Sequence, residues 1–309
     1  MCSHMKCCYL VQSHCDPGQV LRLVRTVKRS SPEALVLVVH DGRRVELDPA
    51  PFRELSGVEV LVRRDRVERG EWSILSPLLA GLRELSGWSF DWLVYLSGQD
   101  YPVRPLADLE AELATTRYAG FLSWWDLQGK ESPWKPRQGP SRYYPQYRRF
   151  PDGARGLLRA VRFLGKISPL RFHFTYGPFV GWQPRRTPFE GPVRCYGGWQ
   201  WWTLSQPCVD YLWQAISSND SLVRWFQRTV APCEAMVQTV LVNSGRFDLC
   251  QDNRRYVDFG EGRGDGRPRT LTRDDLPRFT AGRFDFARKF EMGRDPELLD
   301  LIDSQLLGL

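Results

Sequence analysis

The chain has 309 residues, 42 % of them hydrophobic, and a net charge of +7. That supplies one large core or two small ones and excludes a disordered or collagen-like chain. No apolar run reaches transmembrane length, and the arginines are spread along the chain with only mild clusters at 142–149 and 263–273, which suits a positive cleft for an anionic substrate at least as well as a nucleic-acid surface.

Residues 7–13 read as a first strand ending in Gln12-Ser13-His14, and a helix follows from about Pro17 with Val20, Leu21, Val24 and Val27 inward. The unbroken apolar run at 35–40 is the pattern of a strand buried on both faces, and it stops at Asp41-Gly42. A shorter strand at 58–62, a helix over 71–85 and another buried strand at 91–96 complete an alternation of strand and helix through residue 100. That alternation predicts a mostly parallel α/β sheet flanked by helices, with ligands at the carboxyl ends of its strands. Those ends carry His14, His40-Asp41 and Gly98-Gln99-Asp100. No GxGxxG follows the first strand, and no P-loop or HExxH pattern occurs, which argues against a dinucleotide oxidoreductase, a P-loop kinase and a zincin.

A helix is expected at 104–115 and a strand at 118–125. From 128 to 151 the pattern dissolves into Pro, Gly, Arg and Tyr, as in a long functional loop. A short helix near 154–165 and an irregular stretch at 166–196 follow. Gly197-Gly198-Trp199-Gln200-Trp201-Trp202 opens a second ordered half, either a close approach of backbone to a ligand or a turn into a buried strand. Helices are expected at 207–217, 220–228 and 232–244. In the last, Pro232 suits the first position and Met236, Val237, Val240 and Leu241 form the apolar face. Glu234 then sits in the first turn, about a hundred degrees from that face, either complementing the helix dipole or pointing into a cleft. Glycines around Arg263, Arg267 and Arg269 leave those side chains free to converge on one anion or to be solvated. The eight cysteines show no CxxC pair and read as mostly free thiols of a reducing compartment.

Several of these stretches together resemble one family. Tyr9-Leu10-Val11-Gln12-Ser13-His14 and the run from Asp91 to Pro102, then Gly198 to Ser205, Pro232-Cys233-Glu234 with Gln238 to Ser244, Tyr256 to Phe259, Leu271 to Pro277 and Phe286 to Phe290 are similar, in order, to the blocks of the core-2/I-branching glycosyltransferases. That family includes β-1,6-N-acetylglucosaminyltransferases and peptide O-xylosyltransferases. Residues 126–196 have no counterpart, so acceptor recognition is where divergence is expected. The resemblance implies one domain of GT-A type: a nucleotide-sugar half at 7–125, an acceptor-side insertion at 126–196 and a catalytic half at 197–309.

The resemblance further implies inverting, metal-independent transfer from a UDP-sugar to a hydroxyl of a carbohydrate, glycolipid or small molecule, with N-acetylglucosamine as the first donor candidate and xylose as the alternative. Glu234 takes the position of the base. No cofactor or metal is expected, and the sequence has no Asp-x-Asp triplet. Side-chain cations then neutralise the departing diphosphate. Lys289 matches the family's diphosphate lysine, with Arg269 or Arg267 as its partner. Ser13, Asp41 and Ser73 fall at uridine, ribose or phosphate contacts, and Asp100 and Trp202 near the donor sugar and acceptor. Phe259 replaces a tryptophan common in the animal branching enzymes. Without an anchor or a disulfide set, the chain reads as a bacterial member in the cytoplasm, free or peripheral to a membrane. A basic sugar- or nucleic-acid-binding module that catalyses nothing is the reading from outside enzymes.

Overall fold

The computed structural model describes residues 5–260 and 267–309. Arg263, one of the three arginines expected to converge, lies outside them. The fold is built on a seven-stranded sheet. Its centre is Cys7–Ser13 (β1), flanked in parallel by Leu35–Asp41 (β2) and Trp92–Ser97 (β4), with Val58–Arg63 (β3) beyond β2. On the other side of β4 come Thr203–Ser205, Gly120–Phe121 and Leu249–Cys250. Among these seven strands Thr203–Ser205 alone runs antiparallel to its neighbours. The α/β class with a mostly parallel sheet between helices is therefore the one observed. Residues 203–205 and 249–250 complete the sheet begun by residues 7–97, so both halves share one framework.

Strand alternation sorts the core into two layers. Cys8, Leu10, Leu37, Val39 and Tyr95 face the helices Ser76–Leu85, Gln206–Ser217 and Met236–Ser244. Cys7, Tyr9, Val11, Val36 and Val38 face Pro17–Ser30, Leu106–Thr115 and Pro296–Ile302. Ser76–Leu85 comes close to β1 through Gly81, where an added Cβ would lie 2.6 Å from Leu10 Cδ1.

A second, three-stranded sheet joins Arg255–Val257, Phe286–Arg288 and Asp100–Pro102. Because Asp100–Pro102 directly follows β4, this sheet holds residues 286–289 at the carboxyl end of the main one. Several stretches differ from the sequence expectation. The stretch at 128–151 contains a helix, Gln138–Tyr143, and a strand, Gln146–Arg149. The stretch at 166–196 contains the hairpin Leu170–His173 and Phe179–Trp182, which pairs with Gln146–Arg149. Each of these strands has only four residues, too short for a marked period in the sequence, and the small sheet packs on a few buried residues, Tyr147, Phe179, Val230 and Ala231. The helix expected over 71–85 is a 3-10 turn, Trp72–Leu75, followed by an α-helix with Pro77 in its first turn.

Candidate functional site

At the carboxyl ends of β1, β2 and β4 the structure opens a cleft of about 560 Å³. Its wall includes Ser13, Asp41, Phe259, Arg267, Lys289 and Glu234, so six of the residues singled out in the sequence share one cavity. Four others do not line it.

Glu234 is not in the first turn of an α-helix. Pro232–Glu234 is a separate 3-10 turn, and the α-helix starts at Met236. Between them Ala235 is extended in φ, at −150°, and Ala231 before them is left-handed, at φ 56°. For alanine that conformation costs about 1–2 kcal/mol. The surroundings hold it: Ala231 N donates to Gly70 O at 2.9 Å, Tyr143 Oη donates to Ala231 O at 3.0 Å, and Gly198 N donates to Glu234 O at 2.8 Å. Tertiary hydrogen bonds thus override the helical pattern that starts at Pro232. They aim Glu234 from three directions.

The Glu234 carboxylate accepts from Arg142 Nη1 at 2.7 Å. Its side chain is 24 % exposed, against 6 % for Arg142, so it faces the cleft while its partner lies behind. Arg142 lies over the Trp134 ring at 5.0 Å and the Tyr176 ring at 5.5 Å. Burial pushes the Glu234 carboxyl above the ordinary carboxylate range, and Arg142 and Arg69 pull it only part of the way back. Arg142 comes from the segment without a family counterpart and pairs across 92 positions. No spacing signal in the sequence marks it; only the mild arginine cluster at 142–149 lies there.

Cations gather where the second sheet meets the cleft. Arg288 sits opposite Asp100 in register, with its Nε 3.1 Å from Oδ1 and its guanidinium 4.6 Å from the Trp201 ring. Lys289 Nζ donates to Glu291 at 2.6 Å. Arg267 joins them on the cleft wall, whereas Arg269 does not. The Arg269 guanidinium forks onto Asp275, with Nη1 2.8 Å from Oδ2, and its Nε donates to Asp258 at 2.8 Å. Asp275 is held there by a capping box with Thr272. Of the two arginines left open as partners of Lys289, Arg267 is the one that lies on the cleft wall.

Asp100 is likewise corrected. It is buried, and its carboxylate accepts from Ser97 N at 2.7 Å and Ser97 Oγ at 2.9 Å besides facing Arg288. It orients a cleft residue without reaching the cleft. Trp202 is fully buried. Trp199, Gln200 and Trp201, just before the strand Thr203–Ser205, line the cleft instead. Ser73 turns its Oγ to Glu68 N at 3.0 Å and fixes a local turn. Phe259 stacks on Trp199 at 5.2 Å, forming an aromatic platform. The glycine pair ahead of the tryptophans serves a backbone approach within the protein: a Cβ on Gly198 would lie 2.0 Å from Ser123 O.

At the β1–β2 end, Ser13 and His40 are register partners, and Ser13 Oγ lies 2.7 Å from His40 Nδ1. His40 Nε2 is 2.7 Å from Val45 O, which can only accept. In the neutral ring Nδ1 therefore accepts from Ser13, and the serine lone pairs are left for a ligand N–H or O–H. His14 lines the same end, and burial, then Arg44, hold its imidazole below the usual range. Among the described residues no group of three His, Cys, Asp or Glu is placed to hold a metal ion, and no helix is long and apolar enough to cross a membrane.

No family model matches the chain. It is 27 % identical over 277 residues to xylosyltransferase 1 of Rattus norvegicus, covering 83 % of this chain and 30 % of that protein. With xylosyltransferase 1 of Homo sapiens it shares 27 % over 280 residues, covering 83 % and 25 %. With human xylosyltransferase 2 it shares 26 % over 326 residues, covering 94 % and 33 %. The chain thus spans between a quarter and a third of the length of these relatives. A solved structure of residues 1–349 of S. aureus TarS with UDP-GlcNAc is 16 % identical, overlaps 46 % of this chain and 39 % of that one, and has a TM-score of 0.30. Across most of its length the chain is similar in sequence to glycosyltransferases.

Proposed function

We propose that this chain is a UDP-sugar-dependent glycosyltransferase that inverts the anomeric centre and needs no metal. The observation that carries the reading is one cleft with a carboxylate, Glu234, on one wall and the cations Arg267, Arg288 and Lys289 on another. The sequence similarity to xylosyltransferases supports the same class.

In this reading Ser13, Asp41 and His14 meet the nucleoside at the β1–β2 end. The diphosphate lies against Arg267, Arg288 and Lys289, and the acceptor sugar rests on Trp199 and Phe259. The acceptor hydroxyl attacks the anomeric carbon as the bond from that carbon to the diphosphate oxygen breaks. Glu234 takes the hydroxyl proton, and its raised proton affinity makes it a stronger base than an ordinary carboxylate. The negative charge released on UDP falls beside fixed cations that need no reorganisation. Of the two donors expected from the sequence, the xylosyltransferase relatives favour xylose over N-acetylglucosamine.

Purified protein is offered UDP-xylose and UDP-N-acetylglucosamine, first by thermal shift and then with acceptor panels. The expected result is stabilisation by UDP, transfer unaffected by EDTA, and loss of transfer by about 10²–10⁴-fold in Glu234→Gln with UDP still bound. Full activity in Glu234→Gln, or activity abolished by chelation, would overturn the mechanism. Salt-sensitive nucleic-acid binding with no response to UDP would return the non-enzyme reading.

A further inference from the structure

The insertion at 126–196 has a second face that the cleft chemistry leaves unused. Between Gly153 and Phe189 the chain carries Arg155, Arg159, Arg162, Lys166, Arg171, Arg185 and Arg186 and not one Asp or Glu. In the same stretch stand the most exposed large apolar side chains among the described residues: Ile167 at 79 %, Leu157 at 69 %, Phe163 at 56 % and Trp182 at 55 %.

The local structure accounts for the pattern. Arg155–Ala160 is α-helical and continues as a 3-10 helix, Val161–Lys166. Leu158, Val161 and Leu164 turn partly inward, and Arg155 Nη1 anchors the segment by donating to Phe174 O at 3.1 Å. Leu157, Ala160 and Phe163 follow one another at steps of three along the exposed side, and Ile167, also exposed, stands just past the end of the 3-10 helix. Exposed Arg159, Arg162 and Lys166 interleave with them. Among the described residues Arg162, Lys166, Arg185 and Arg186 form no ion pair with a carboxylate. Exposed apolar side chains with interleaved, unneutralised cations fit a surface that is anionic outside and apolar within. A nucleic acid offers charge without the apolar layer.

We infer that this face docks the protein on the surface of an anionic lipid bilayer, with Leu157, Phe163 and Ile167 entering the headgroup–acyl boundary and Arg159, Arg162 and Lys166 at the headgroups. The same insertion supplies Trp134, Arg142 and Tyr176 to the cleft. Resting on the glycosyltransferase reading, docking would hold the cleft beside an acceptor borne on that membrane. The docking itself does not depend on that reading.

The test is flotation of the whole chain with vesicles of phosphatidylcholine alone or with 30 % phosphatidylglycerol, using wild type and three variants. The apolar variant is Leu157→Ser/Phe163→Ser/Ile167→Ser, and the charge variant is Arg159→Gln/Arg162→Gln/Lys166→Gln. The control, Arg25→Gln/Arg53→Gln/Arg83→Gln, removes equal charge elsewhere. Binding is expected for wild type and control on the anionic vesicles only, and each patch variant is expected to bind about tenfold or more weakly while its UDP thermal shift is retained or lost together with that of wild type. Absence of wild-type binding, equal loss in the control, or undiminished binding of the apolar variant would overturn the proposal. The last two results would mean attraction by net charge alone, as for nucleic acid. No sugar transfer enters the measurement, so failure here and failure of the transferase reading are distinguishable.

Discussion

Glu234 and Arg142 are the pair whose energetics are most exposed to test. Removing the guanidinium leaves a mostly desolvated carboxylate without its counter-charge, and its proton affinity rises further. If the carboxylate must be unprotonated to act, activity falls as pH drops through its pKa. The acid limb of kcat/KM in wild type is therefore expected above the ordinary carboxylate range, and in Arg142→Met it moves to still higher pH; pH–rate profiles of the two proteins check this. Arg269 tests the opposite role. Its fork onto Asp275 and its bond to Asp258 make it structural, so Arg269→Gln is expected to cost about 2–3 kcal/mol in chemical denaturation by leaving a buried carboxylate underpartnered. UDP affinity should fall much less than in Lys289→Ala, as calorimetry would show. Burial alone would raise the Asp275 carboxyl, and the Arg269 hydrogen bonds, the Thr272 N–H and the Arg269 and Arg278 charges together more than reverse that, holding it below its unfolded value. This part of the stability is present above the unfolded pKa and is lost as pH falls through the folded one.

At the level of elements, the turn Pro232–Glu234 is the unit that matters. Its apolar spacing with Met236–Ser244 was legible in the sequence, but the break at Ala235 was not, because the hydrogen bonds from Gly198, to Gly70 and from Tyr143 arrive from distant segments. Gly198 is the narrowest point. A methyl group there meets Ser123 O at 2.0 Å and Gln238 Nε2 at 2.7 Å, and relieving either moves the N–H that fixes Glu234 O. Gly198→Ala is expected to lower stability by about 1–3 kcal/mol and to depress kcat more than KM. Thermal melts and steady-state kinetics read the two effects separately. The hairpin Leu170–His173 and Phe179–Trp182 escaped the sequence reading because each strand has only four residues: the alternation in Leu170-Arg171-Phe172-His173 is too short to stand out, and Phe179-Val180-Gly181-Trp182 carries no polar residue.

For the molecule as a whole, the seven described cysteines are free thiols, five of them buried. Burial pushes the thiols of Cys7, Cys8, Cys195 and Cys233 far up, and that of Cys208 to about 11. Mass mapping after brief treatment with a thiol reagent should find Cys15 and Cys250 modified in the native protein. The five buried thiols should react only in denaturant, and reductant should leave the melting temperature unchanged. The sequence by itself determined the parallel α/β framework, since runs such as 35–39 and 92–96 are apolar at every position, rich in β-branched and aromatic residues, and alternate with helical patterns, as strands covered on both faces do. It also marked Ser13, Asp41, Glu234 and Lys289, which the fold brings to one cleft. Tertiary structure decided the rest: that Arg142 pairs with Glu234, that Arg267 and Arg288 line the cleft and Arg269 does not, and that Trp199 and Trp201 line it and Trp202 does not. The physical reason is the range of the interactions. Apolar periodicity is a local property of the chain, whereas an ion pair closed across 92 positions, or the side of a strand that meets solvent, exists only after the core has packed.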